Sequence, residues 1–137
     1  SDYKEHLFEN EKNLLSQMQM TLATQESAYA QKLQEIWDCQ QDIARKMNEG
    51  ITVGELTTLQ GYLKSLEKQL EELAKQIEIT KNRIAQQTKV VLALKTEQTA
   101  LDKLREKQLV FYNKSVEKEQ EKLIDEFVTT KSHMQAV

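Results

Sequence analysis

Few side chains in this sequence are of the types that do covalent or metal chemistry. The single cysteine is Cys39, and the two histidines, His6 and His133, lie near opposite ends of the chain. A catalytic thiol needs a base within hydrogen-bond reach, and neither histidine stands in the expected pairing with Cys39. No group of His, Cys and acidic residues has zinc-site spacing, and no glycine-rich phosphate-binding loop is present. The sequence therefore predicts no enzyme, no metal site and no cofactor.

Aromatic side chains are better candidates for function, as contacts with another protein. Tyr62 is adjacent to Leu63 and Gly61 and, from spacing alone, is as consistent with packing as with a partner contact. Trp37 adjoins Ile36 and is interpreted first as a cover for the edge of the core, and second as an exposed anchor.

The C-terminal part carries a further set of apolar residues. Residues 109–112 (LVFY) are four apolar residues in succession, and residues 123, 124, 127 and 128 form a second apolar stripe. We predict partner contacts at Phe111, Tyr112 and Phe127. Such a stripe can also be covered by self-association, by crystal neighbours or by missing N-terminal residues.

Composition limits the elements that can position these side chains. The chain has 137 residues, no proline, three glycines and 30% charged residues, and its apolar residues lie in stripes. This is typical of long helices. The net charge of −3 comes from interspersed lysines and glutamates, which argues against nucleic acid as a partner. No run of about 18 apolar residues could cross a bilayer, and one cysteine excludes an intrachain disulfide. We expect a cytoplasmic protein with no direct membrane insertion.

Two series of apolar residues repeat every seven positions, as in the seam of a left-handed coiled coil. The first series is Phe8, Leu15, Leu22, Tyr29, Ile36 and Ile43. The second is Leu56, Leu63, Leu70, Ile77, Ile84 and Val91, with Leu59, Leu66, Leu73, Leu94 and Leu101 three residues on. Cys39 falls on the packed face of the first series as a small apolar residue. Polar residues interrupt the seam at Thr80 and Gln87, expected opposite Leu22 and Leu15, and the companion positions of the first helix mix Met18 and Leu33 with Gln25 and Lys32. We interpret these mainly as register-fixing residues, and otherwise as local softness for a partner.

The break between the two series contains Asn48 and Gly50, which tolerate the conformation that ends a helix. Thr52 and Glu55 then form a capping box that starts a second helix near Val53. A connection this short makes neighbouring helices antiparallel. The sequence predicts an all-α fold: a long antiparallel two-helix coiled-coil hairpin in a single domain over 1–137. We place the helices at about 3–48 and 53–130, a turn at 49–52 and a C-terminal tail at 131–137.

Four further segments are distinctive when taken together: residues 47–53, 59–67, 104–108 and 119–126. They resemble the FliJ family, the general chaperone-like component of bacterial flagellar type III export. Residues 47–53 (MNEGITV) and 59–67 (LQGYLKSLE) are similar to its hairpin tip and second-helix start. Residues 104–108 (LREKQ) and 119–126 (EQEKLIDE) are similar to its later motifs. The resemblance runs from about residue 7 to 128, and the order and spacing around one tip make it moderately specific. The family's aromatic-rich opening is not evident before Tyr3, which leaves open whether the N-terminus is trimmed.

The resemblance implies a fold, partners and a contact face. FliJ proteins are antiparallel two-helix coiled coils, similar to the gamma shaft of rotary ATP synthases. They insert into the hexameric FliI ATPase ring, contact the cytoplasmic domain of the FlhA export gate and handle escort chaperones, peripherally at the inner face of the cell membrane. The gate-binding face matches Tyr62, Leu66, Gln69 and Leu73. Gln69 stands where the family can have a small residue and Leu73 where it can have a polar one, and Leu66 and Leu73 are also seam positions.

The function expected from the resemblance is that of a non-enzymatic export stalk. The stalk of a virulence injectisome has the same shape and is an alternative that this sequence does not separate from it. A dimerising coiled-coil spacer, whose long helix pairs with its own copy, is the alternative from a different class.

Overall fold

A computed structural model describes residues 2–136, with the side chains of residues 2–134. It contains two helices, α1 over Asp2–Glu49 and α2 over Val53–Ala136, and no strand within the described residues. The predicted all-α hairpin with a longer second helix is confirmed. The chain divides into two compact units, Ser1–Ala93 and Leu94–Val137, which are described separately.

The helix ends follow local chemistry. Acidic residues in the first turn, Asp2 and Glu5, favour the start of α1, because they face the positive end of the helix dipole. At its other end Gly50 adopts φ 109°, and its N–H donates to the carbonyl of Lys46 at 2.9 Å. A left-handed glycine with this bond is a common helix terminus.

The Thr52 half of the capping box predicted for α2 is present. The backbone N–H of Glu55 donates to the Thr52 hydroxyl oxygen at 3.1 Å, and α2 begins at Val53. The helix α2 continues to Ala136, beyond residue 130, the approximate end predicted from the sequence. No glycine or proline follows residue 61, so no residue there breaks the helix.

In the first unit α1 packs antiparallel on the N-terminal part of α2. Two contacts define the direction: the Cys39 thiol lies 4.0 Å from the carbonyl oxygen of Leu59, and Gln87 bonds to Glu11. Every seam position of the first unit is buried or half-buried, in both helices. The heptad register read from the sequence is therefore the packing register.

The buried apolar residues of this seam lie in the half near the turn. Ile36, Cys39 and Leu66 form its buried core, and Ile43, Leu63 and Leu70 pack against them. Two helices can cover only one stripe of each other, so most other seam residues are half-buried. Two side chains expected near the core are exposed instead: Trp37 and Leu33. Lys32, not Leu33, occupies the seam position and forms an ion pair with Glu35 at 2.9 Å.

The second unit, within residues 94–134, is part of α2 alone. All residues from 102 to 134 are exposed. No helix in the described part of the chain has a stretch long and apolar enough to cross a bilayer.

Candidate partner-binding surfaces

Tyr62 lies on an accessible face of the first unit. Its side chain is 53% exposed, although it stands between seam positions at Leu59 and Leu66. It lines a groove together with residues of α1 and α2. The residues of this groove, here called the tip groove, are Glu35, Asp38, Cys39, Asp42, Leu59 and Tyr62.

The four residues matched to the gate-binding face have different environments. Tyr62 and Gln69 are exposed, Leu73 is half-buried, and Leu66 is only 2% exposed. Leu66 packs with Ile36 and Cys39, so in this conformation its side chain is part of the packed core. Gln69 lies two helical turns after Tyr62 on the same side of α2, and its amide donates to the Ser65 hydroxyl at 3.4 Å.

The α1 side of the tip groove is acidic. Glu35, Asp38 and Asp42 are spaced i, i+3, i+7, which brings them to one side of the helix. Asp42 accepts a 2.6 Å bond from Arg45 and lies 3.5 Å from the Lys46 amine. The hydrogen bond from Arg45 is the main reason why the pKa of Asp42 is below its usual value, and Lys46 adds to the effect.

Cys39 is the buried residue among those that line the tip groove. Its burial raises the pKa of the thiol, and the negative charge of Asp42 raises it further. A thiol held protonated is a poor nucleophile. No group of three or more His, Cys, Asp or Glu within the described residues could hold a metal ion. The tip groove thus presents an aromatic side chain, Tyr62, beside carboxylates.

The tail residues singled out from the sequence are highly exposed. Phe111 is 74% exposed, and Tyr112 and Phe127 are also well above half. The same stretch of α2 carries further exposed apolar side chains. They lie on more than one side of the helix, because residues 109–112 are consecutive, and the whole set is here called the tail face. Its members are Leu109, Val110, Phe111, Tyr112, Val116, Leu123, Ile124, Phe127 and Val128. An exposed apolar set of this size is typical of an interaction surface.

Two features of the first unit were not foreseen. One is the acidic side of the tip groove, for which the signal was the i, i+3, i+7 spacing of Glu35, Asp38 and Asp42. The other is the exposed apolar row on α1 that includes Leu33, Trp37 and Met47. The sequence signal for this row was a set of apolar residues at positions outside the seam. A search for the heptad repeat does not detect them.

A hairpin of two helices packed along a heptad seam, with aromatic side chains exposed on its sides, defines the class of coiled-coil proteins. The chain matches the family model described as "Flagellar FliJ protein" over residues 2–136. It belongs to the FliJ family and is a component of flagellar protein export. No curated protein matches the chain, and no solved structure does.

Proposed function

We propose that this chain is a non-enzymatic stalk of the flagellar export apparatus. It docks in the ring of a FliI-like export ATPase, contacts the cytoplasmic domain of an FlhA-like export gate and handles escort chaperones. Membership of the FliJ family supports this role, together with a hairpin whose side chains are available for contact rather than catalysis. These partners act at the inner face of the cell membrane, where we propose the chain acts too, in the cytoplasm.

The gate contact is proposed at Tyr62 and Gln69. The observation that carries it is a half-exposed tyrosine that lines the tip groove beside the buried Cys39, one helical turn before the almost fully buried Leu66. A large aromatic side chain on a rigid support loses little conformational entropy when it binds, which is why tyrosines are frequent hot spots. Leu66 and Leu73 contribute by holding the helix in place.

The acidic side of the tip groove indicates the chemistry of the matching surface. Glu35, Asp38 and Asp42 line the groove beside Tyr62. A partner that fits it has an apolar pocket for the tyrosine, bordered by lysine or arginine. Opposite charges across the rim steer association and weaken with salt, so the contact is expected to be salt-sensitive.

The tail face is proposed as the contact with the ATPase ring, with Phe111, Tyr112 and Phe127 as its anchors. Nucleotide chemistry then belongs to the ring, and this chain couples to it only through side-chain contacts. Escort chaperones are proposed partners for which no particular surface is assigned.

Co-purification with both partners tests this function, and one double variant in the tail tests the assignment of the tail face. The wild-type chain, expressed with its cognate ATPase and the cytoplasmic domain of the cognate gate, is expected to retain both. F111A/F127A is expected to lose the ATPase and keep the gate. A wild-type chain that retains neither partner contradicts the proposal, and a tail variant that retains the ATPase fully contradicts the assignment of the tail face.

A further inference from the structure

The side of α1 that includes Trp37 is almost free of charge. Within residues 16–48 a strip of fifteen exposed residues, here called the outer strip, lies outside the seam. It consists of Ser16, Gln19, Met20, Ala23, Glu26, Ser27, Ala30, Leu33, Gln34, Trp37, Gln40, Gln41, Ala44, Met47 and Asn48. Glu26 is its one charged member, whereas the chain average of 30% would give four or five. The other charged residues of this segment all lie elsewhere on α1.

This composition differs from that of a solvated helix face. Depletion of charge, with tryptophan and methionine present, marks the centre of protein interfaces. Trp37 is 56% exposed, and Leu33 and Met47 are exposed with it. The strip contains three alanines, Ala23, Ala30 and Ala44. Because their side chains are short, another helix can approach closely. The outer strip therefore has the properties of a helix-packing surface.

The order of large and small residues along the outer strip is self-complementary. If a second α1 is laid antiparallel across it, with a two-fold axis between Leu33 and Gln34, Trp37 of each copy meets Ala30 of the other. In the same register Ala23 lies opposite Ala44, and Met20 lies opposite Met47. A two-fold interface requires one surface to fit itself in this way.

A groove is already present where the partner's tryptophan would enter. Ala30, Leu33, Gln34 and Trp37 line it, and they are the residues that surround the two-fold axis. Because the outer strip is nearly uncharged, two copies meet without like-charge repulsion, and Glu26 lies opposite Gln41. The outer strip has too few charged residues to recognise a partner by electrostatic complementarity.

We propose that the outer strip of α1 binds a second copy of this chain, antiparallel, with each Trp37 packed in the groove beside Ala30 of the other copy. The matched segment from residue 20 to 47 is about 40 Å long and about 10 Å wide. It buries on the order of 800 Å² in total, which is the size of a weak, transient complex. The dimer therefore forms at high local concentration and separates on dilution.

The tip groove shares no residue with the groove that Ala30, Leu33, Gln34 and Trp37 line. The dimer and the proposed gate contact are therefore separate properties of the chain. W37A is expected to remove the dimer and keep the gate, and Y62A is expected to do the reverse.

The full chain, followed by sedimentation equilibrium from about 10 to about 500 µM, tests the dimer at the concentrations that a weak interface requires. Trp37 is the single tryptophan, so its fluorescence reports its own burial. We expect the mass to rise toward that of a dimer and the emission to shift to the blue over the same range. W37A is expected to weaken association about thirtyfold or more, while Y62A, the matched exposed aromatic, is not. A wild-type chain that stays monomeric with unchanged emission overturns the proposal, as does a W37A chain that dimerises normally.

Charge substitutions test the antiparallel register. A23K and A44E are each expected to weaken the dimer, because each sets a charge against an alanine. The double variant A23K/A44E is expected to restore it, since the register places each new lysine opposite a new glutamate of the other copy. These two positions are about 30 Å apart along one helix and cannot pair within a chain. A double variant weaker than both single variants contradicts the antiparallel arrangement.

Discussion

Gln87 of α2 donates its side-chain amide to Glu11 of α1, at 2.9 Å to the backbone carbonyl and also to the side-chain carboxylate. Both residues hold seam positions, and Gln87 is buried. A hydrogen-bonded polar pair inside a coiled-coil seam favours one register, because a shift by one turn leaves the polar groups facing apolar side chains. The sequence had placed Gln87 opposite Leu15, one turn away from its actual partner.

Two substitutions of Gln87 separate the contribution of its hydrogen bonds from that of side-chain packing. Q87A removes two hydrogen bonds and leaves a gap, so we expect a loss of about 1 kcal/mol in the free energy of unfolding. Q87L fills the seam with an apolar group, and we expect it to melt at or above the wild-type temperature. Thermal melts followed by circular dichroism measure both. A Q87L variant clearly less stable than the wild type would show that the hydrogen bonds of Gln87 contribute more than apolar packing at this position does.

Leu66 is the side chain on which the packing near the turn depends most. L66A is expected to lower the free energy of unfolding by about 2–5 kcal/mol, the usual range for a buried leucine. The matched control is L123A in the exposed tail face, for which a change within about 0.5 kcal/mol is expected. Urea denaturation followed by Trp37 fluorescence measures the loss. Equal effects of the two variants would contradict the assignment of Leu66 to the core.

The glycines of the tip region differ in what they require of the backbone. A Cβ at Gly61 would meet no heavy atom within 4 Å, and Gly61 lies inside α2. G61A is therefore expected to stabilise the chain by up to about 1 kcal/mol. Gly50 has φ 109°, so G50A is the matched opposite and is expected to destabilise. Denaturation curves of both variants are compared with the wild type, and a destabilising G61A would contradict the open environment of that residue.

Asp42 gives the hairpin a dependence on pH. Its pKa is lowered in the folded chain, so its ion pairs contribute stability above the unfolded pKa, and this contribution is lost as pH falls through the folded pKa. D42N is therefore expected to melt slightly below the wild type at pH 7. Below the folded pKa, where the carboxyl group is protonated in both states, the two melting temperatures should meet. A difference that persists unchanged at acid pH would show that the charge of Asp42 is not its cause.

The register of the fold could be predicted from sequence because a two-helix hairpin has one requirement. Residues such as Leu63 and Ile36 must meet an apolar partner, and the spacing of seven fixes which ones do. Gly50 and Thr52 marked the turn by their backbone chemistry.

The surfaces were harder to predict, because spacing says which residues face the partner helix and little about the rest. Trp37 seemed able to cover the core edge from its place beside Ile36, yet a single partner helix leaves that side of α1 open. Leu33 was likewise assigned to the companion positions of the seam, but Lys32 occupies that position and Leu33 is exposed. Leu66 was matched to a contact face while its heptad position required burial. Where one residue satisfied two patterns, the packing pattern decided its environment.

The contact between Tyr62 and the export gate is the central claim, and calorimetric titration with the cytoplasmic domain of the cognate gate tests it most directly. Y62A is expected to weaken binding at least about tenfold, with unchanged helicity and melting temperature. W37A, which removes an equally exposed aromatic on another side of the hairpin, is expected to bind as the wild type does. If Y62A binds with wild-type affinity, or if W37A and Y62A lose affinity equally, the gate contact does not lie at the tip groove.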